Sequence, residues 1–204
     1  MCIRDSKYRD LKVPVQYAVI VDESYPFGLY SAMSFTAIIL AAGKGTRMNS
    51  ALPKPLHRVG GHAMLAWSMD AARLAGAERI VTVLAPGSED IQDWLDGAPF
   101  AIQEDQLGTG NAVASAREAV GNEDGVAIVM FADTPLVSAA SLKQLADGVK
   151  AGAGIVITGF RPDDPSGYGR LVEDADGTIS RIVEDRQCSP AERAIGLCNG
   201  GIMA

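Results

Sequence analysis

Phe35-Thr-Ala-Ile-Ile-Leu40 runs directly into Ala41-Ala-Gly-Lys-Gly-Thr-Arg-Met48, and this junction decides the fold. The first half is a near-continuous apolar run, the pattern of a strand buried on both faces in a parallel sheet. The second half is built of glycine and small residues. Small residues let the backbone approach phosphate oxygens, and glycines reach dihedrals that turn successive N–H groups into one concavity. Lys44, Arg47 and, a little further on, Lys54 add positive charge, and Arg47 can grip phosphate bidentately. Spacing excludes two familiar loops. A Walker A loop needs G-x-x-x-x-G-K-[ST], but Lys44 follows Gly43 without the earlier glycine or a following Ser/Thr. A dinucleotide fingerprint needs G-x-G-x-x-G, but Met48 stands at the third glycine. The plainer reading, a tight strand-to-helix turn with solvated cations, is weakened by Pro53-Lys54 close behind.

From Phe35 onward the pattern alternates strand and helix. Helices are expected at Met64–Ala75, Glu89–Leu95, Asn111–Val120 and Ala139–Val149. Strands are expected at Arg79–Leu84, Phe100–Gln103, Val126–Phe131 and Gly154–Thr158. Repeated β-α units of this length imply a mostly parallel sheet with right-handed crossovers and helices on both faces. Ligands of such α/β sheets sit beyond the carboxyl ends of the strands. After Phe160 the pattern changes. Arg170–Glu173 and Thr178–Val183, separated by Asp174-Ala-Asp-Gly177, read as a β-hairpin insertion.

The 204-residue chain suits one substantial α/β domain or slightly more. Residues 1–32 read differently, with alternating charges and an apolar stretch broken by Pro14 and Gln16, so no signal peptide is expected there. They are read as a non-native-looking extension, with the domain occupying 33–204. Gly201–Ala204 reads as the start of a strand, so that domain is expected to be incomplete at its C-terminus. The net charge of −7 argues against a nucleic-acid binder, which needs a basic surface. No apolar run is long enough to cross a membrane. Cys2, Cys188 and Cys198 form no spaced framework, so a reducing, cytoplasmic compartment is expected.

Three further groups carry chemistry. Gln103-Glu-Asp-Gln106-Leu-Gly108-Thr109-Gly110 leaves a strand and enters a helix. Amide side chains such as Gln103 and Gln106 can donate and accept along a base edge, with backbone at Gly108 completing it. Thr109 opens a helix whose N–H groups favour negative charge, although a simple capped helix start explains the same residues. Asp133, in Phe131-Ala-Asp-Thr-Pro135, ends the most apolar strand. A carboxylate there suits Mg²⁺, which shares oxygen ligands with phosphates; a turn before Pro135 is the plainer role. Gly167-Tyr-Gly169-Arg170, Val183-Glu184 and Asn199-Gly-Gly-Ile202 are weak motifs one at a time.

Taken in order, these strings resemble the sugar-nucleotide pyrophosphorylase superfamily, most of all the uridylyltransferase domain of the bifunctional GlmU enzymes. The similarity extends from about Ser34 to the last residue. It implies a Rossmann-like nucleotidyltransferase α/β fold with a small β-hairpin insertion. It also implies uridylyl transfer from UTP to N-acetylglucosamine-1-phosphate, giving UDP-N-acetylglucosamine for cell-wall precursors, with Mg²⁺ as cofactor. Carried over by position, Leu40, Ala41, Ala42, Gly43, Lys44, Gly45, Gln103, Gln106, Gly108 and Thr109 bind the nucleotide. Arg47 and Lys54 are catalytic, Asp133 holds the metal, and Gly169, Glu184 and Asn199 face the sugar. The chain departs from the family at Phe131-Ala132, where Tyr-Gly is common. It also departs at Gly200, often Thr or Ser, and at Asn111, often His, a position expected to matter little. In the resembled family a second metal-binding residue lies beyond this chain's end. So does the β-helix that carries acetyltransferase activity and trimerisation. Other readings are another sugar-phosphate nucleotidyltransferase and a non-catalytic nucleotide-sensing domain of the same fold.

Overall fold

The computed structural model describes residues 17–20, 34–43, 45, 48, 50–121 and 125–204. In chain order the strands and helices begin with β1 (Tyr17–Ile20), β2 (Phe35–Leu40), β3 (Arg58–Val59), β4 (His62–Ala63) and α1 (Met64–Ala75). β5 (Ala77–Leu84), α2 (Glu89–Leu95), β6 (Phe100–Ile102), α3 (Thr109–Ser115), α4 (Arg117–Val120) and β7 (Ala127–Phe131) follow. The rest is α5 (Ala139–Lys150), β8 (Ile155–Phe160), β9 (Arg170–Glu173), β10 (Ile179–Val183), α6 (Pro190–Arg193) and β11 (Cys198–Met203). The chain divides into two compact units, one of residues 31–146 and one formed by residues 1–30 with 147–204.

In the first unit β7, β2, β5 and β6 lie side by side, all parallel. β2 is hydrogen-bonded on both edges, and five of its six residues are buried, as its unbroken apolar run requires. Ile38 and Leu40 pack with Val81 and Val83 of β5 against Ala112 and Ala116. The alternate pair, Ala37 and Ile39, both fully buried, points to the opposite face. α1 closes on Gly76, whose φ of 101° is the left-handed cap that lets the chain turn straight into β5.

The helix expected at 111–120 starts two residues earlier and breaks at Ala116 into α3 and α4. The early start follows from Gly108, which at φ 110° supplies an N-cap no side-chain-bearing residue adopts easily. β3 and β4 form a two-residue hairpin around Gly60-Gly61, both at positive φ, a turn signal absent from the expected elements.

In the second unit β8 pairs parallel with β1 and antiparallel with β11, and β9 pairs antiparallel with β11 and β10. The β9–β10 hairpin is the one expected, closed by hydrogen bonds between Asp174 and Thr178 and between Gly177 and Asp174. Its core is Ile157, Leu171, Ile179 and Leu197. Gly148 on α5 lets the helix approach β8, since a Cβ there would lie 2.8 Å from Val156 Cγ2. Cys188 and Cys198 are both buried free thiols, and burial pushes the Cys198 thiol pKa up. Among the described residues no helix is long and apolar enough to cross a membrane.

Candidate active site

The four parallel strands of the first unit end level, which brings their outgoing loops together. Leu40 pairs with Val83 on one side and Phe131 on the other, and Leu84 pairs with Ile102. Backbone bonds carry the ladder one step past the strands: Ala41 N–H to the Val83 carbonyl, Ala132 to Leu40, Gln103 to Leu84. Ala41 and Ala42 are buried at 5% and 8% exposure, so the floor of the loop is nearly pure backbone. A Cβ on Gly43 would meet nothing within 4 Å, which leaves the main chain open at that point. Lys44 and Arg47 lie outside the described residues, as do Thr46 and Asn49.

Lys54 and Asp133 face one another across this floor. Lys54 opens a 3-10 turn, Lys54–Leu56, held by the Leu56 N–H on the Pro53 carbonyl. Gly45 supports it from beneath: its φ is +56°, and a Cβ there would stand 3.0 Å from Lys54 Cβ. On the other side the Phe131 carbonyl accepts from Ser68 Oγ at 3.2 Å and Thr134 Oγ1 at 2.9 Å. These bonds fix the turn that presents Asp133. Lys54 Nζ then donates to Asp133 Oδ2 at 2.5 Å, with each side chain a little over one-third exposed. A pair this open contributes little stability.

The third wall comes from the loop after β6. Gln103, Gln106, Gly108 and Thr109 line one cleft of about 280 Å³ together with Leu40–Gly43, Lys54 and Asp133. Gly45 borders an adjoining depression that also reaches Lys54. Gln103 is 4% exposed, and its Nε2 donates to the Gly108 carbonyl at 3.1 Å and to Asn111 Oδ1 at 2.8 Å. Asn111 thus touches a residue expected to read the base, so its side chain does more than face the helix start. Asn111 is the third residue of α3, well past the end of β6, and only the fold reveals that its side chain reaches Gln103. Phe131, Ala132, Pro55 and Ala112 complete the lining and were not among the predicted site residues.

The three residues expected on the sugar side cluster in the second unit. The Asn199 N–H donates to the Gly169 carbonyl at 2.8 Å. A Cβ on Gly169 would lie 3.7 Å from both Glu184 Oε2 and Asn199 Cβ. Arg170, 2% exposed, donates to the Tyr168 carbonyl and pairs with Asp185 at 3.3 Å, so it ties together the loops flanking Gly169 and Glu184. Gly200 is forced to be small: a Cβ there would meet Thr158 Oγ1 at 2.5 Å.

The sequence matches the profile of the MobA-like NTP transferase domain over residues 37–174. It is 46% identical over 173 residues to the bifunctional protein GlmU of Maricaulis maris, covering 84% of this chain and 38% of that protein. The corresponding protein of Parvibaculum lavamentivorans is 44% identical over 172 residues, covering 82% of this chain and 38% of its own length. The chain therefore spans somewhat over a third of these relatives. Among solved structures, UDP-glucose pyrophosphorylase complexed with UDP-glucose superposes with a TM-score of 0.67 at 19% identity, over 84% of this chain and 75% of that one. The apo form of UDP-glucose pyrophosphorylase gives 0.70 at 18% identity, over 84% and 76%. At such identities the likeness is one of fold.

Proposed function

The chain belongs to the MobA-like NTP transferase family, and we propose that it transfers a uridylyl group from UTP to N-acetylglucosamine-1-phosphate. The observation that carries this reading is the meeting of Lys54 and Asp133 on the same cleft that Gln103, Gln106 and Gly108 line. A cation, a carboxylate and a base-reading edge within one cleft are the parts a nucleoside triphosphate needs.

In the proposed reaction an oxygen of the sugar phosphate attacks the α-phosphorus of UTP in line. A new P–O bond forms, the bond to the bridging oxygen breaks, and pyrophosphate leaves. No protein nucleophile takes part; positioning and charge neutralisation supply the rate. Backbone at Ala41–Gly43 cradles the phosphates, and Lys54 balances negative charge near the reacting phosphorus. Arg47 is assigned to the leaving pyrophosphate from its place in the sequence, with Lys44 as a supporting cation. Gln103, Gln106 and Gly108 hold the uracil, and Gly169, Glu184 and Asn199 receive the sugar.

Asp133 fits a Mg²⁺ ion. It stands open at the cleft with Oδ1 free of any hydrogen bond among the described residues, and among them it belongs to no group of three or more His, Cys, Asp or Glu, so substrate oxygens and water would have to complete the shell. Mg²⁺ commonly takes one or two carboxylates and completes its shell with phosphate oxygens and water. Held by Asp133, it would neutralise charge on the triphosphate.

In this reading the nucleotidyltransferase domain is proposed at 33–204 with residues 1–32 as an extension to it, although Tyr17–Ile20 of that extension pair with β8. Two measurements test the function together: calorimetric binding of UTP with Mg²⁺, and pyrophosphate release on adding N-acetylglucosamine-1-phosphate. Binding with release is expected. Binding without release would point to a nucleotide-sensing role, and absence of UTP binding would overturn the reading.

A further inference from the structure

The amide of Gln103 is locked at its nitrogen end. Both hydrogens of Nε2 are committed, one to the Gly108 carbonyl and one to Asn111 Oδ1. The Gly108 carbonyl can only accept, so it selects the nitrogen side of the amide. Asn111 takes the second hydrogen, and Gln103 then has no proton left to offer a ligand. The remaining polar atom, Oε1, accepts nothing from the described residues. It is also not a buried orphan of the kind found at Thr82 Oγ1 and Arg170 Nε. Gln103 lines the cleft, and with both Nε2 hydrogens committed, Oε1 is the polar atom it has left for a ligand.

We infer that Asn111 is a specificity-determining positioning residue: by accepting from Gln103 it fixes Oε1 as an acceptor toward the base, favouring uracil over cytosine. This rests on the proposal that the cleft takes a pyrimidine nucleoside triphosphate. Uracil carries a hydrogen on N3 and satisfies an acceptor. With Oε1 opposite N3, as the inference requires, cytosine would set its N3 lone pair against a second acceptor, whereas its 4-amino group would suit Oε1 only at the neighbouring position. Turning the amide to suit cytosine breaks both Nε2 bonds and sets Oε1 against the Gly108 carbonyl. Rejection through an unpaired polar group is a stronger filter than shape alone.

The test is calorimetric binding of UTP and CTP, each with Mg²⁺, to the full chain and to two variants. The unaltered chain should prefer UTP. Asn111→Ala removes the acceptor and should narrow the UTP-to-CTP ratio by about fivefold to tenfold, the effect of one net hydrogen bond. Asn111→Asp keeps the acceptor, so the ratio should persist even if its charge weakens both nucleotides. A purely structural role would move both affinities together and leave the ratio unchanged. An unchanged ratio in Asn111→Ala, or a collapsed one in Asn111→Asp, overturns the inference while the uracil reading stands. An unaltered chain that binds UTP and CTP alike, or neither, overturns the uracil reading and the inference with it.

Discussion

Lys54 Nζ lies 2.5 Å from Asp133 Oδ2, although the two residues are 79 positions apart in the chain. One comes from the turn behind the glycine-rich loop and the other from the end of β7. Without a ligand each neutralises the other. With nucleotide and Mg²⁺ present, the ammonium is expected to turn to phosphate and the carboxylate to the metal. Lys54→Met should therefore weaken UTP binding while tightening Mg²⁺ alone by a fewfold, because the carboxylate loses its competitor. Its transfer rate should fall by roughly 10² or more, the scale of one lost charge-stabilising donor. Its melting temperature should barely move, as an exposed pair is worth about 0–1 kcal/mol. Tighter UTP binding in this variant would contradict the assignment.

Asp133→Asn gives the complementary result. UTP affinity with Mg²⁺ should drop at least tenfold, whereas affinity measured with chelator present should change little. Titrations in the two buffers separate these outcomes.

Gly45 is the substitution that links loop shape to the pair. Its φ of +56° disfavours any other residue, and an added Cβ would press on Lys54 Cβ at 3.0 Å. Gly45→Ala should cost about 1–2 kcal/mol for the left-handed backbone alone. It should also weaken nucleotide binding more than Lys54→Met does, since it displaces the lysine and the loop together. Denaturant melts and UTP titration check the two parts.

Gly200 and Thr158 form a coupled pair. Thr158 Oγ1 donates to the Ile202 carbonyl at 3.0 Å and accepts from its N–H at 3.2 Å, filling the space a side chain at 200 would need. Gly200→Ser should destabilise the chain, and adding Thr158→Ala should recover part of the loss. A double-mutant cycle with no coupling would contradict this, since contacting residues usually couple by about 0.5–3 kcal/mol.

Acid stability should carry a signature from α6. The Glu192 carboxyl is held down to about 2 by the Ser189 hydroxyl first, then by the Ser189 N–H and by Arg181. Those contacts measure 2.7, 2.8 and 2.6 Å, and Ser189 accepts in return from the Glu192 N–H, closing a capping box. A carboxyl with a lowered folded pKa stabilises the native state above its unfolded pKa and loses that contribution as pH falls through the folded one. The stability difference between the unaltered chain and Glu192→Gln should be constant near neutral pH. It should fade as pH drops from about 4.5 toward 2. A difference that grows with acid would contradict it.

Much of the architecture was legible because it rests on local rules. β2, α1 and α2 begin and end where apolar periodicity and turn residues place them, and the β9–β10 hairpin follows from Asp174–Gly177. The break in the helix at Ala116 was not legible, because no glycine or proline marks it. The Gly60-Gly61 hairpin is so short that its strands, two residues each, carry no alternation to read.

The sequence alone determined which residue types stand at the strand ends: small residues and glycines after β2, amides after β6, a carboxylate after β7. Strand periodicity and chain order suffice for that, since each loop is read beside its own strand. Only the tertiary structure decided which of them meet. Parallel strands ending level bring Lys54 to Asp133, an encounter no local pattern encodes because it depends on sheet register. The same folding turns Asn111 back onto Gln103 and commits both amide hydrogens. Hydrogen-bond direction is a property of three-dimensional neighbours, so the sequence supplied an amide and the fold decided which end of it faces the cleft.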